Sequence, residues 1–279
     1  AFKLSNIKLT ALAIEMEPIK NVLFRLGGDY RTLSSASDAF SLDYVDPESP
    51  TGISSDLKQF ESTFAVSYFP GRKMTGHGVE RLNANDTYAS IFAQFSLGDK
   101  HIFKSDFNYT KIQLSYIQPW QLGGIGRLRS TLEAGKTFGT VPLGLLSVVP
   151  GNQSYFSIYK SFSQLNYYEF VTDTYAAMHL EHNFNGRLFS RIPLLRKLNW
   201  REIIGFRAVC GDLAQKNIDI SAPSNIPLIA PTDEIYYEYS VGIGNIFRVF
   251  RIDFNFRGNY FDNPGARDFG ITGSFGFQF

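Results

Sequence analysis

The chain has 279 residues, and its 27 Lys and Arg residues nearly balance its 26 Asp and Glu residues, giving a net charge of +1. This balance excludes a nucleic-acid-binding protein that relies on bulk positive charge, and it excludes an acidic disordered tail. No run of about 18 apolar residues occurs, so no membrane-spanning helix is predicted. The 26 Phe and 15 Tyr residues favour strands, because flat rings fit a pleated sheet.

Apolar and polar residues alternate with a period of two through most of the chain, which predicts β-strands. We predict about twelve strands, near residues 3–16, 20–32, 38–45, 58–69, 87–98, 109–118, 127–134, 175–184, 198–210, 234–243, 250–260 and 269–279. The alternation is weakest in the first three segments. In 198–210, Glu202 is an exception on the otherwise apolar face. The last two segments are joined by a turn containing Asp-Asn-Pro-Gly and form an antiparallel hairpin.

These segments are long, and their two faces differ strongly in polarity. A transmembrane barrel has strands of roughly 9 to 11 residues with aromatic residues at both rims. A packed soluble core could not accept runs of unpaired charge, whereas a water-filled lumen can. The sequence therefore predicts an all-β fold, a transmembrane antiparallel β-barrel, over a soluble sandwich or a lipid-carrier shell. Residues 1–279 are either most of a barrel or the C-terminal part of one with about 14 to 16 strands.

Charged residues on the polar faces of three strands are predicted to project into one lumen. They are Arg127, Arg129, Glu133, His179, Glu181, Arg251, Asp253 and Arg257. Two interpretations remain open. The charges form a network that gates the lumen or holds a plug, or they solvate the lumen with opportunistic salt bridges.

A long segment at 139–171 interrupts the alternation and contains seven aromatic residues, including those of the run Tyr167, Tyr168, Glu169 and Phe170. Long ordered loops are usually functional. We predict that this loop folds over or into the barrel. The alternative is an extracellular cap that contacts a partner or nothing.

The chain ends with Phe275, Phe277 and Phe279 at two-residue intervals, which resembles the C-terminal signal by which outer-membrane barrels of Gram-negative bacteria are recognised for insertion. Three internal stretches resemble a family of outer-membrane proteins of unknown function, whose longer members carry a carboxypeptidase-regulatory-like domain before the barrel. These stretches are Tyr167 to Asp173, Leu180 to Phe184 and Ile192 to Leu198. The resemblance implies a location in the bacterial outer membrane. It also implies that N-terminal strands or domains can precede this barrel.

The order of elements from about 110 to 279 is also similar to the barrel end of the BamA/TamA superfamily, which inserts or translocates other proteins. In that superfamily a long loop with an Arg-Gly-Phe-type motif enters the lumen. The loop here lacks that motif and has Tyr167-Tyr168-Glu169-Phe170. The resemblance implies noncovalent action in outer-membrane protein assembly or transport. Its implied partners are outer-membrane lipid and other outer-membrane or periplasmic proteins, with no nucleic acid.

Two other functions remain open from the sequence. The first is an accessory or channel barrel in a larger outer-membrane complex, with the loops as its docking surface. The second, a barrel enzyme, has less support, because none of the four histidines lies in a Gly-x-Ser-x-Gly or His-Glu-x-x-His setting. The single cysteine, Cys210, matches no metal-binding spacing. We therefore expect no catalytic residues, no metal site and no cofactor.

Overall fold

The computed structural model describes residues 5–36, 40–76, 78 and 81–276. Eleven strands form one antiparallel sheet, in which the spatial order follows the chain order. The strands are β1 (Ser5–Ile19), β2 (Val22–Ser35), β3 (Asp56–Tyr68), β4 (Ser90–Gly98), β5 (Tyr109–Gln121), β6 (Arg127–Gly139), β7 (Thr174–Asn183), β8 (Arg201–Asp212), β9 (Tyr236–Ile246), β10 (Phe250–Arg257) and β11 (Phe269–Phe275). The predicted all-β, antiparallel architecture is confirmed.

Successive connections alternate between the two ends of the sheet, because neighbouring strands are antiparallel. One end, here called the turn side, carries residues 20–21, 69–89, 122–126, 184–200 and 247–249. The opposite end, here called the loop side, carries residues 36–55, 99–108, 140–173, 213–235 and 258–268. The longest connection of all, 140–173, therefore starts and ends on the loop side.

The two faces of the sheet have the polarity of a membrane barrel. On β9, Tyr239 and Val241 are exposed on the outer face, whereas Glu238 and Ser240 are buried on the inner face. A soluble protein would bury the apolar pair and expose the polar pair. In a transmembrane barrel the outer face contacts lipid and the inner face is polar. Apolar residues are therefore exposed on the outside and polar residues are enclosed, as observed here.

The predicted strand at 38–45 does not join the sheet, and its residues 38 and 39 lie outside the described part of the chain. Only Tyr44–Val45 is extended there, and it pairs with Ile53–Ser54. The alternation has a different cause: Phe40, Leu42 and Tyr44 are buried in a hydrophobic core formed by the loop-side connections. An alternation of apolar and polar residues indicates that one side of an extended segment is buried. It does not distinguish a barrel wall from a core of packed loops.

The remaining elements are short. Met74–Thr75 pairs with Leu82–Asn83, and Ser147–Val148 pairs with Val171–Thr172. The helical turns are Gly123–Ile125, Leu143–Leu145, Phe189–Arg191, α1 (Pro193–Arg196) and α2 (Gln215–Ile220). In the described part of the chain, no helix has the length and apolar character to cross a membrane.

Candidate functional site

The connection between β6 and β7, residues 140–173, turns back against the inner face of the sheet and is here called the inward loop. Its first part joins the loop-side core through Val141, Leu143 and Leu145. Its later part forms a second buried cluster with β8 and β9, made of Val149, Phe162, Leu165, Phe170, Val209 and Tyr236. The loop is therefore packed along the sheet, and its position is fixed by apolar contacts at both ends.

Glu238 of β9 fixes the middle of the inward loop. Its buried carboxylate accepts hydrogen bonds from the backbone N–H groups of Ser163 and Gln164, both at 2.8 Å. It also accepts one from the Tyr236 hydroxyl at 2.7 Å, and Arg207 Nη1 lies 3.7 Å from it. A buried charge is tolerated when hydrogen bonds and an opposite charge compensate it in this way. Glu238 thus ties the loop backbone to the barrel wall.

Arg257 of β10 makes the second attachment. Its Nη2 donates to Glu169 Oε1 at 2.6 Å, and the exposed fractions of the two side chains are 0% and 5%. The guanidinium also lies 5.0 Å from the centroid of the Tyr236 ring, in cation–π geometry. The neighbouring Phe170 packs edge-on against Tyr260 at 5.2 Å. This attachment holds the end of the loop from which the chain returns to β7.

Lys160 makes a third attachment, to two strands that lie further along the inner face of the sheet. Its Nζ donates to Glu133 Oε1 of β6 at 2.6 Å and to Ser115 Oγ of β5 at 3.2 Å. The first two attachments are on β9 and β10, and this one is on β5 and β6. The inward loop therefore contacts two separate parts of the wall, with β7 and β8 between them in the sheet.

The tip of the inward loop reaches the last strand. Gly273 N–H of β11 donates to Tyr155 O at 2.8 Å, and Ser157 N–H donates to Gly273 O at 2.8 Å. These bonds form a parallel bridge between Phe156 and Gly273. The Ser157 and Thr272 hydroxyl oxygens are 3.0 Å apart. Because β11 pairs with β10 along its other edge, the tip covers part of the edge that β10 leaves free.

The two outermost strands of the sheet differ at their free edges. Within the described residues, β1 has β2 as its one strand neighbour, and β11 has β10. An unpaired edge exposes backbone N–H and C=O groups, which are costly in lipid and readily accept another strand. The inward-loop tip pairs with the free edge of β11 at Gly273. Part of the pairing capacity of that edge is therefore already used.

The structure divides the eight predicted lumen charges into two groups. The first group lines a cavity of about 870 Å³ towards the turn side and consists of Arg127, Arg129, Glu181 and Arg251. Arg251 lies 2.8 Å from Glu181 and 2.8 Å from Asp253, and Arg127 lies 3.7 Å from Asp86. Glu181, Arg251 and Asp253 therefore form one cluster of ion pairs, and Arg127 and Asp86 form a separate pair.

The second group contacts the inward loop directly. Glu133 and Arg257 make the attachments described above, and Asp253 Oδ2 lies 3.5 Å from Ser157 Oγ. The His179 ring packs 5.0 Å from the ring of Phe162. Four of the predicted charges are thus contacts of one loop, on strands that are far apart in the sequence.

The other predicted residues have separate environments. Glu169 and Phe170 are buried, the Tyr168 ring packs 4.9 Å from Phe40, and Tyr167 is partly exposed. Phe275 is exposed on the outer face, and its ring contacts Phe250 of β10 and Phe156 of the inward loop. Phe277 and Phe279 lie outside the described residues.

Two parts of this site were not predicted from the sequence. One is the pair Glu238 and Arg207, which lies in a single cross-strand row with Arg257. The other is a network on β2, β3 and β5, in which Arg31 Nη2 donates to Glu61 Oε2 at 2.8 Å and the Tyr109 hydroxyl donates to the same carboxylate. Strand register would have identified the row, because opposite charges then appear side by side.

Comparison with known proteins agrees with this architecture. The crystal structure of BamA from Haemophilus ducreyi lacking POTRA domains 1–3 is similar over 97% of this chain, with a TM-score of 0.59 and 11% identity. CdiB from Acinetobacter baumannii is similar over 96%, with a TM-score of 0.41 and 10% identity. The chain covers 54% of that BamA chain and 49% of the CdiB chain, so it spans about half the length of each. No curated protein matches it.

The sequence also matches a family model over residues 29–218. This range begins within β2, ends within α2 and includes the whole inward loop. The model describes the C-terminal domain of a family of unknown function, DUF5686. Because the match covers more than half of the chain, this protein belongs to the DUF5686 family and contains its C-terminal domain.

Proposed function

We propose that this protein is an outer-membrane β-barrel that acts noncovalently in the assembly or transport of other outer-membrane proteins. The observation that carries the proposal is the position of the inward loop. One loop packs against the inner face of the sheet and also pairs with the free edge of β11. The same movement of the loop would open the lumen and free the strand edge.

Strand addition is the physical basis of the proposed activity. A free strand edge binds an extended polypeptide through backbone hydrogen bonds, with little dependence on its sequence. In lipid that pairing is especially favourable, because water cannot satisfy the unpaired groups. An incoming strand would displace Tyr155–Ser157 and pair with β11. The resemblance to the BamA/TamA superfamily supports this proposal.

The proposed mechanism requires no covalent step. The inward loop is held by ion pairs, hydrogen bonds and apolar contacts, all of which can be broken and remade without chemical change. The proposed partners are outer-membrane lipid, around the apolar wall, and other outer-membrane or periplasmic polypeptides at the edge of β11. We propose that the protein is not an enzyme.

Depletion of the protein in its native bacterium tests the proposal. The expected result is a fall in the outer-membrane levels of unrelated β-barrels, while the levels of inner-membrane proteins stay constant. Re-expression of the full gene should restore those levels. Unchanged barrel levels would overturn the proposal, and consistent purification within a larger complex would then indicate an accessory subunit.

A further inference from the structure

The connection between β7 and β8, residues 184–200, combines positive charge with apolar residues and is here called the rim segment. It contains four cations, Arg187, Arg191, Arg196 and Lys197, and no Asp or Glu. Leucine, isoleucine and aromatic residues lie between and around these cations, of which Arg196 and Lys197 are adjacent. Amphipathic segments of this composition are typical of the boundary between lipid and water.

The rim segment lies against the outer wall of the barrel. Glu202 of β8 shares the outer face with Ile204, opposite to the inward-facing Arg207, and it is nevertheless buried. The Phe189 N–H of the rim segment donates to its carboxylate. Arg187 Nη1 also donates to Gly124 O at 2.9 Å, which ties the segment to the neighbouring turn. The segment therefore covers the lipid-facing wall at the turn-side end of β8.

Apolar side chains of the rim segment remain exposed. Leu194 is 81% exposed, and Leu188, Ile192 and Leu198 are about half exposed. Phe247, in the adjacent turn between β9 and β10, is 89% exposed. Large apolar side chains exposed side by side at one end of a membrane barrel indicate a surface that enters the membrane boundary.

The cations surround a concave site on the same surface. A cavity of about 430 Å³ is lined by Ser190, Arg191, Pro193, Arg196 and Lys197. Within the described residues, the side chains of Arg191, Arg196 and Lys197 make no salt bridge. Three cations without a salt-bridge partner among the described residues, close in the chain to exposed leucines, match a ligand that has an anionic head and an apolar tail.

We infer that the rim segment binds an anionic phospholipid of the membrane leaflet on the turn side. Arg191, Arg196 and Lys197 bind the phosphate of the headgroup, and Leu194 and its apolar neighbours contact the acyl chains. The position against the lipid-facing wall favours lipid over an acidic protein. This inference depends on the transmembrane fold alone, so it stands or fails independently of the proposed assembly function.

Binding of a fluorescent phosphatidylglycerol to the purified full chain in neutral detergent micelles tests the inference. The variant R191Q/R196Q/K197Q removes the three cations, which are exposed and make no salt bridge within the described residues. We expect it to bind the probe about tenfold more weakly, because each cation near an anionic surface contributes to affinity. Unlabelled phosphatidylglycerol should displace the probe from the native protein, whereas phosphatidylcholine and inorganic phosphate should not.

Two matched variants control for net charge and for folding. K58Q/K100Q/K104Q removes three exposed cations on the loop side and should bind the probe normally. R191K/R196K/K197R keeps all three charges and should also retain binding. Equal loss of binding in the loop-side variant would overturn the inference, as would normal binding by R191Q/R196Q/K197Q. Displacement by inorganic phosphate as effective as displacement by lipid would also overturn it.

Discussion

Arg257 of β10 and Glu169 of the inward loop form an ion pair of 2.6 Å whose side chains are almost completely buried. Removing one member of a buried pair leaves the other charge uncompensated. We expect R257M to lower the free energy of unfolding by about 3 to 5 kcal/mol. Urea denaturation in detergent micelles measures this change.

Two further variants show whether the loss arises from the unpaired carboxylate. R129M removes an exposed cation that makes no salt bridge within the described residues, and it should change stability by less than about 1 kcal/mol. E169Q/R257M should recover part of the stability lost in R257M, because neither charge of this pair is left buried without the other. Equal losses in R129M and R257M would show that the ion pair does not hold the loop.

The strands were predictable because each wall residue faces either lipid or the lumen. This environment makes apolar and polar residues alternate along each strand. In β10 the alternation places Arg251, Asp253 and Arg257 on the lumen side. A single residue that broke the pattern, Glu202, also had a physical cause. The rim segment covers it, and the Phe189 N–H donates to one oxygen of its carboxylate.

The path of the inward loop was not predictable to the same depth. Glu238 accepts hydrogen bonds from the backbone N–H groups of Ser163 and Gln164, and any residue type except proline at those two positions supplies the same donors. The contact depends on the register of three strands and on the conformation of a loop more than 70 residues away in sequence. A local pattern cannot encode such a contact.

The inward loop should block ion flow through the barrel. We expect low conductance for the native protein in planar lipid bilayers. Replacement of residues 153–161 by a Gly–Ser segment of equal length removes the loop tip and the Lys160 attachment, and it should raise the conductance several-fold. The same replacement at 47–51, in another loop-side connection, should have no effect. Equal conductance of the native protein and the 153–161 variant would contradict a lumen blocked by this loop.

Gly98 makes room for the buried ring of Tyr109. A Cβ atom at position 98 would lie 2.2 Å from Tyr109 Cε1, so the ring would have to move away from Arg31 and Glu61. We expect G98A to lower the free energy of unfolding by about 1 to 3 kcal/mol. G124A is the control, because a Cβ there meets no atom within 4 Å, and its stability should change by less than about 0.5 kcal/mol. Similar urea midpoints for both variants would contradict this prediction.

Tyr44 should make the loop-side core sensitive to alkaline pH. Its hydroxyl donates to Asp106 Oδ2 at 3.2 Å, and burial together with the nearby Asp106 carboxylate raises the pKa of Tyr44 to about 12. The folded-state pKa exceeds the unfolded value of about 10. The contribution of the protonated Tyr44 to the free energy of unfolding is therefore complete below pH 10 and is lost as the pH rises through 12.

The variant Y44F tests this pH dependence. Urea midpoints of the native protein should fall between pH 10 and 12 more steeply than those of Y44F, which has no phenol to ionise. Absorbance at alkaline pH, compared between the two proteins, measures the ionisation of this single tyrosine. Parallel stability curves would show that Tyr44 does not control the alkaline limit.

A disulfide between the inward-loop tip and β11 should stop the proposed activity. The Ser157 and Thr272 hydroxyl oxygens are 3.0 Å apart, so S157C/T272C in a C210S background, which removes the single native cysteine, should cross-link on oxidation. Cells in which this variant is the only copy should lose outer-membrane barrels when oxidised and recover them after reduction. Each single-cysteine variant should behave like the native protein under both conditions. Normal barrel levels with the cross-link fully formed would show that the tip stays on β11 while the protein works.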